Sequence, residues 1–93
     1  PMSDGQRYEL VLTPPAVRAI QGQLPEAVAA AVIEFLTGPL VAAPARVGKP
    51  LRGELTGIHT AGRGTYRVLY RIVDGRGEVV VLRIDHRRDA YRT

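Results

Sequence analysis

Between Thr65 and Val73 the chain reads Thr-Tyr-Arg-Val-Leu-Tyr-Arg-Ile-Val, the stretch that most narrows its folding options. Side chains of a β-strand point alternately to opposite faces, so Tyr66, Val68, Tyr70 and Ile72 share one side and Arg67, Leu69 and Arg71 the other. Such a strand needs helices or a second sheet over its apolar side and water or a partner over its charged side. Two runs of similar β-forming character, Glu54 to Ala61 and Glu78 to Asp85, are read as its neighbours. Asp74-Gly75 marks the turn into the last strand, within a loop longer than two residues. Simple alternation there groups Val80, Leu82 and Ile84 against Val79, Val81, Arg83 and Asp85, so Arg83 joins Arg67 and Arg71 on a basic face. The same arginines would equally serve to solvate an open sheet face.

The first half of the chain supplies the helices. After a loose segment over residues 1–7, Tyr8 to Leu12 alternates as a strand. Thr13 is placed to cap a short helix that begins with Pro14 and Pro15, where missing N–H groups cost little, and continues through Val17 and Ile20. Gly22 interrupts it. Pro25 opens a longer helix whose stripe is Val28, Val32, Phe35 and Leu36, and Gly38 and Pro39 end it. Pro44, Gly48, Pro50 and Gly53 make Val41 to Gly53 a connecting loop with at most single turns. The order β-α-α-β-β-β predicts an α+β fold, with two N-terminal helices packed on one face of a mostly antiparallel four-stranded sheet. At 93 residues, one domain over the whole chain is expected.

Charge is unevenly distributed. Residues 1–45 carry Arg7 and Arg18 against four carboxylates, a net of −2, whereas residues 46–93 carry 11 Lys or Arg against five carboxylates, a net of +6. A polyanion such as nucleic acid, or an acidic protein, is the partner this field suits. There is no cysteine, which excludes disulfides and thiolate metal sites. No apolar run has the length of a membrane span and the start has no apolar signal segment, so a cytoplasmic protein without membrane contact is expected.

The chemistry available is limited. Ser3 is the only serine and sits in no nucleophile motif, which leaves out acyl transfer by serine or cysteine. Gly62-Arg63-Gly64 starts like a phosphate loop, but Arg67 stands at the third glycine position and no helix follows, so a tight turn between strands is predicted. His59 and His86 are far apart with no third ligand in view, and neither a metal nor a cofactor is expected. The densest polar run is Asp85-His86-Arg87-Arg88-Asp89-Ala90-Tyr91-Arg92. Metal-free RNA cleavage needs a phosphate whose developing charge is stabilised and protons moved at both ends, functions that arginine, histidine and tyrosine supply. An exposed charged tail has the same composition.

Four stretches together carry a resemblance: Gly48-Lys49-Pro50-Leu51-Arg52, Gly57-Ile58-His59, Gly64-Thr65-Tyr66-Arg67-Val68-Leu69-Tyr70 and Ile84-Asp85-His86-Arg87-Arg88-Asp89-Ala90-Tyr91. In motif and element order the chain resembles the RelE/ParE toxin superfamily. The resemblance to RelE implies a toxin of a type II toxin–antitoxin pair that cuts messenger RNA in the ribosomal A site, leaving a 2′,3′-cyclic phosphate and a 5′-hydroxyl. A RelB-like antitoxin, the ribosome and messenger RNA are the implied partners. Arg67 would stabilise the phosphate, Arg87 the transition state or leaving group, Tyr91 would orient RNA, and His86 would act as general acid or base or serve only structure. Lys49, Arg52, Arg63, Arg71, Arg83 and Arg88 would contact RNA or ribosome. Family members often carry cations where this chain has Thr60 and Gly62, so weakened activity is implied. The alternative on the same fold is a ParE-like toxin that inhibits DNA gyrase by binding, without catalysis.

Overall fold

A computed structural model describes residues 7–86. Arg87, Arg88 and Tyr91, and the start through Gln6, lie outside the described residues. The chain runs β1 (Glu9–Leu12), α1 (Pro14–Arg18), α2 (Glu26–Phe35), β2 (Lys49–Pro50), β3 (Ile58–Arg63), β4 (Tyr66–Val73) and β5 (Glu78–His86). The sheet order is β1-β5-β4-β3-β2, with β1 parallel to β5 and every other pair antiparallel. The α+β class and the mostly antiparallel sheet agree with the sequence reading, but the sheet has five strands rather than four. The fifth is β2, inside the stretch read as a loop. Proline is tolerated in a strand at a sheet edge, and β2 is at the edge.

Both helices wind further than their breakers suggest. A widened π-type turn carries α1 on through Ala19–Gln23, past Gly22, and closes with the Leu24 amide donating to the Ala19 carbonyl at 3.0 Å. A second such turn carries α2 through Gly38 and Pro39 to Leu40. Thr13 does not cap α1. With Pro14 and Pro15 in the first two positions there is no amide at the second position for a cap to bind. Its hydroxyl instead lies 2.8 Å from the Val81 carbonyl and 3.0 Å from that of Leu82, tying the helix start to β5.

The core is one layer between helices and sheet: Ala16, Ala19, Val32, Phe35, Leu36 and Leu40 meet Ala61, Tyr66, Val68, Tyr70, Val79, Val81 and Ile84. Tyr66, Val68 and Tyr70 of β4 are buried as their alternation predicts, and Arg67 and Arg71 are exposed. Alternation fails once in β5. Leu69 faces Arg83 while Tyr70 faces Val81, so Leu82 is an extra residue, a β-bulge. Val79 and Val81 therefore point into the core before the bulge and Ile84 after it, whereas Arg83 and Asp85 emerge on the open side. Among the described residues no helix is long and apolar enough to cross a membrane.

Candidate functional site

Directly opposed residues of neighbouring antiparallel strands project from the same side of a sheet, so the ladder assigns each charge to a face. Arg67 is flanked by Gly62 on β3 and Asp85 on β5; Arg71 by Ile58 and Val80; Arg83 faces Leu69; Lys49 faces Thr60, which in turn faces Leu69. Lys49, Arg67, Arg71 and Arg83 thus share the side turned away from the helices, and all four are exposed. Arg83 is held by Asp85 at 2.8 Å. The side chains of Lys49, Arg67 and Arg71 form no hydrogen bond or ion pair with another described residue.

At one corner of this face a cleft of about 360 Å³ opens between β2, β3 and β4. Lys49, Thr60, Gly62 and Arg67 line it, with Val47, Gly48, Ala61 and Arg63 completing its walls. Gly62 contributes no side chain, and the Thr60 hydroxyl is buried without a hydrogen-bond partner. Beneath it Tyr70 is fully buried, donates to the Pro44 carbonyl at 2.6 Å and stacks on His59 with ring centres 5.5 Å apart. Burial pushes the Tyr70 phenol up to about 12, with Arg63 opposing the shift. Tyr70 is therefore a fixed donor, not a proton carrier at neutral pH.

Two residues assigned to the site turn away from the open face. Arg63 faces Tyr66 and so lies on the helix side, where its guanidinium sits 4.8 Å over the Phe35 ring and donates to the carbonyls of Gly62 and Val47, each at 2.8 Å. It braces the β3 turn rather than joining the open face. His86 also faces Tyr66 and is half-buried on that side, opposite in direction to Arg67. Arg52 is exposed just beyond β2. Arg87, Arg88 and Tyr91 fall outside the described residues. The sequence reading missed that Gly48-Lys49-Pro50 belongs to the sheet, for which the edge-compatible proline was the available signal, whereas it placed Asp85 beside Arg83 on the open face, where the ladder sets it opposite Arg67. No group of three or more His, Cys, Asp or Glu that could hold a metal ion occurs among the described residues.

A small helix-backed sheet with an arginine-bearing open face defines a class of compact basic α+β domains. Residues 10–91 match the family described as the ParE toxin of the type II toxin–antitoxin system, parDE. The chain is 48% identical over 91 residues to toxin RelE of Mycobacterium tuberculosis, covering 98% of this chain and 93% of that one. With toxin RelG of the same organism it shares 59% over 70 residues, 75% and 80% of the respective chains. The structure superposes on a chain of the toxin–antitoxin complex RelBE2 from M. tuberculosis with a TM-score of 0.84 and 51% identity, covering 88% of this chain and all of that one. The archaeal RelE–RelB complex from Pyrococcus horikoshii shares the fold, at a TM-score of 0.68 and 24% identity, covering 88% and 97%. The chain belongs to the RelE/ParE toxin superfamily.

Proposed function

We propose that this toxin is a metal-independent endoribonuclease that cuts messenger RNA in the ribosomal A site and so stops translation. In this reading the 2′-hydroxyl attacks the adjacent phosphorus, the bond to the 5′-oxygen breaks, and a 2′,3′-cyclic phosphate and a 5′-hydroxyl result. The carrying observation is Arg67: exposed, without an ion-pair partner among the described residues, and at the lip of a nucleotide-sized cleft. A guanidinium there stabilises charge on the equatorial phosphate oxygens as it develops. Arg87 and Tyr91 are assigned by resemblance to leaving-group stabilisation and RNA orientation. His86 faces the helix side, so proton transfer is assigned to it only if the strand end turns toward the substrate. The ribosome orders the 2′-hydroxyl for in-line attack, which lets so small a domain act without a full acid–base set. Arg71, Arg83, Arg88 and Arg52 are assigned to RNA phosphates.

The partner follows from the relatives, several of which are structures of toxin–antitoxin complexes. A cognate RelB-like antitoxin with acidic side chains against the open face would neutralise this chain by charge and by coverage. The test is to map cleavage of messenger on programmed ribosomes beside naked RNA. Cuts restricted to ribosome-bound messenger and lost in a folded Arg67→Ala variant support the reading; undiminished cleavage by that variant removes Arg67 from the mechanism. The family match to ParE favours one second reading, inhibition of DNA gyrase by binding. Gyrase-dependent DNA cleavage stimulated by a chain that cuts no messenger would establish it.

A further inference from the structure

We propose that Lys49 is the second phosphate-gripping cation of the cleft, set across from Arg67 by the close packing of Gly48, and that the two hold the phosphates on either side of one RNA nucleotide. The inference rests on the ribonuclease reading and specifies which residues of this chain take the substrate.

Three independent observations meet at this corner. The first is register. Lys49 stands directly opposite Thr60 on β3, and Arg67 stands opposite Gly62, so both cations project from the open side. Lys49 is in line with Leu69 through Thr60, so two strand spacings and a two-residue offset along β4 separate it from Arg67, roughly 12 Å between backbones, which two long side chains can narrow to grip consecutive phosphates. Arg63, the other cation lining the cleft, is committed to Val47, Gly62 and Phe35.

The second is the way β2 is held. An added Cβ at Gly48 would collide with the Tyr70 hydroxyl and lie 2.7 Å from the Thr60 carbonyl oxygen. Only glycine lets the backbone pass this close, and the contact is with a fully buried tyrosine whose hydroxyl is itself anchored to Pro44. The residue that follows is therefore on a fixed backbone, although the strand is two residues long. Pro50 ends the edge, and the next amide, Leu51, donates to the Ile58 carbonyl at 2.8 Å.

The third is the unmet hydrogen-bonding capacity of the floor. Thr60 lines the cleft directly opposite Lys49, and its hydroxyl is buried without a hydrogen-bond partner among the described residues. Buried hydroxyls are ordinarily satisfied, and an unsatisfied one on a residue that lines the cleft is hydrogen-bonding capacity that a bound ligand or its water can use. The volume, about 360 Å³, is at the small end of the roughly 300–1,000 Å³ of small-ligand sites. Thr60 and Gly62 bring no positive charge to this floor, and Lys49 supplies it from the adjoining strand.

The experiment is the salt dependence of binding to a short single-stranded RNA, read by fluorescence anisotropy, with ribosome-programmed cleavage measured on the same proteins. Each phosphate contact contributes about 0.7 to the slope of log affinity against log salt for single strands, so Lys49→Ala should lower the slope by about 0.7 and weaken binding roughly fivefold at low salt. Lys49→Arg should keep the slope. Moving the charge one strand over, in Lys49→Ala/Thr60→Lys, should restore it, which a merely structural lysine would not do. Arg76→Ala, in the turn at the opposite end of β4, should leave the cleft's contribution unchanged. An unaltered slope in folded Lys49→Ala, or no recovery in the double variant, overturns the inference. If messenger is cut and Arg67→Ala abolishes cutting while the Lys49→Ala slope is unaltered, the inference alone falls. If the slope changes but no messenger is cut, the ribonuclease reading falls and the phosphate grip stands. No salt-dependent RNA binding by the wild type overturns both.

Discussion

The backbone of Gly48 packs against the hydroxyl of Tyr70 so tightly that no β-carbon fits between them. Because that hydroxyl donates to Pro44 at 2.6 Å, it cannot swing aside without breaking a buried bond. Gly48→Ala is expected to cost about 1–3 kcal/mol through overpacking, read as a lower urea midpoint. Tyr70→Phe should cost less in the Gly48→Ala background than in the wild type, since there it also removes a colliding atom. Strictly additive effects in the double-mutant cycle would show that the two residues are not coupled.

Tyr70 also makes a prediction about alkali. Its phenol titrates near 10.0 when unfolded and is pushed up to about 12 by burial in the fold. Between these values the native state keeps a proton that the unfolded state has lost, so stability falls as pH rises, by at most about 1.4 kcal/mol per pH unit from this group. Tyr66 and Tyr8 are raised as well and add to the slope. Urea titrations from pH 9 to 12 should show a shallower decline for Tyr70→Phe than for the wild type; equal declines would mean that Tyr70 does not govern it. At neutral pH the same variant should lose about 1–3 kcal/mol, because the Pro44 carbonyl is left buried without a donor.

Arg63 and Arg67 are four residues apart and carry the same charge on opposite sides of the sheet. Arg63→Ala should cost about 1 kcal/mol of stability, from the lost contact with Phe35 and two backbone hydrogen bonds. Arg67→Ala should cost little stability, being exposed and without a partner among the described residues, and should lose RNA cleavage. Thermal melts and cleavage assays on the two variants should give opposite orders of severity.

Asp85 is the one carboxylate across the ladder from Arg67, and it holds Arg83 at 2.8 Å. Neutralising it frees Arg83 and deepens the positive potential over the face. The pair is largely exposed, so its contribution is at most about 1 kcal/mol. Asp85→Asn should tighten RNA binding by up to about fivefold at low salt, with the gain fading as salt screens the surface. A gain that persists at high salt would point to a direct contact by the new amide.

Much of this architecture is legible in the residues, and the exceptions have physical causes. The period of two in Tyr66 to Ile72 announces a buried side and an arginine side, and β4 obeys it because its ladder to β3 is regular. The same rule applied to β5 misplaces Val80 relative to Ile84, because a bulge is a property of two paired strands and leaves no mark on one. β2 was hidden because a two-residue strand is below any periodic signal, and its existence depends on the contact between Gly48 and Tyr70, 22 residues apart. Of the site, Arg67, Arg71 and Arg83 could be placed on one face in advance. The orientations of Arg63 and His86 could not, since each sits at a strand end where register decides the side.

The Leu82 bulge gives β5 one spare residue. Removing it would place Val81 and Arg83 as consecutive residues opposite Tyr70 and Leu69 on a regular ladder, with Arg83 and Asp85 still facing water and Ile84 still facing the hydrocarbon side. A one-residue deletion here can therefore be absorbed by losing the bulge, whereas the same deletion in the middle of β4, whose ladder to β3 has no spare residue, would exchange inside for outside at a stroke.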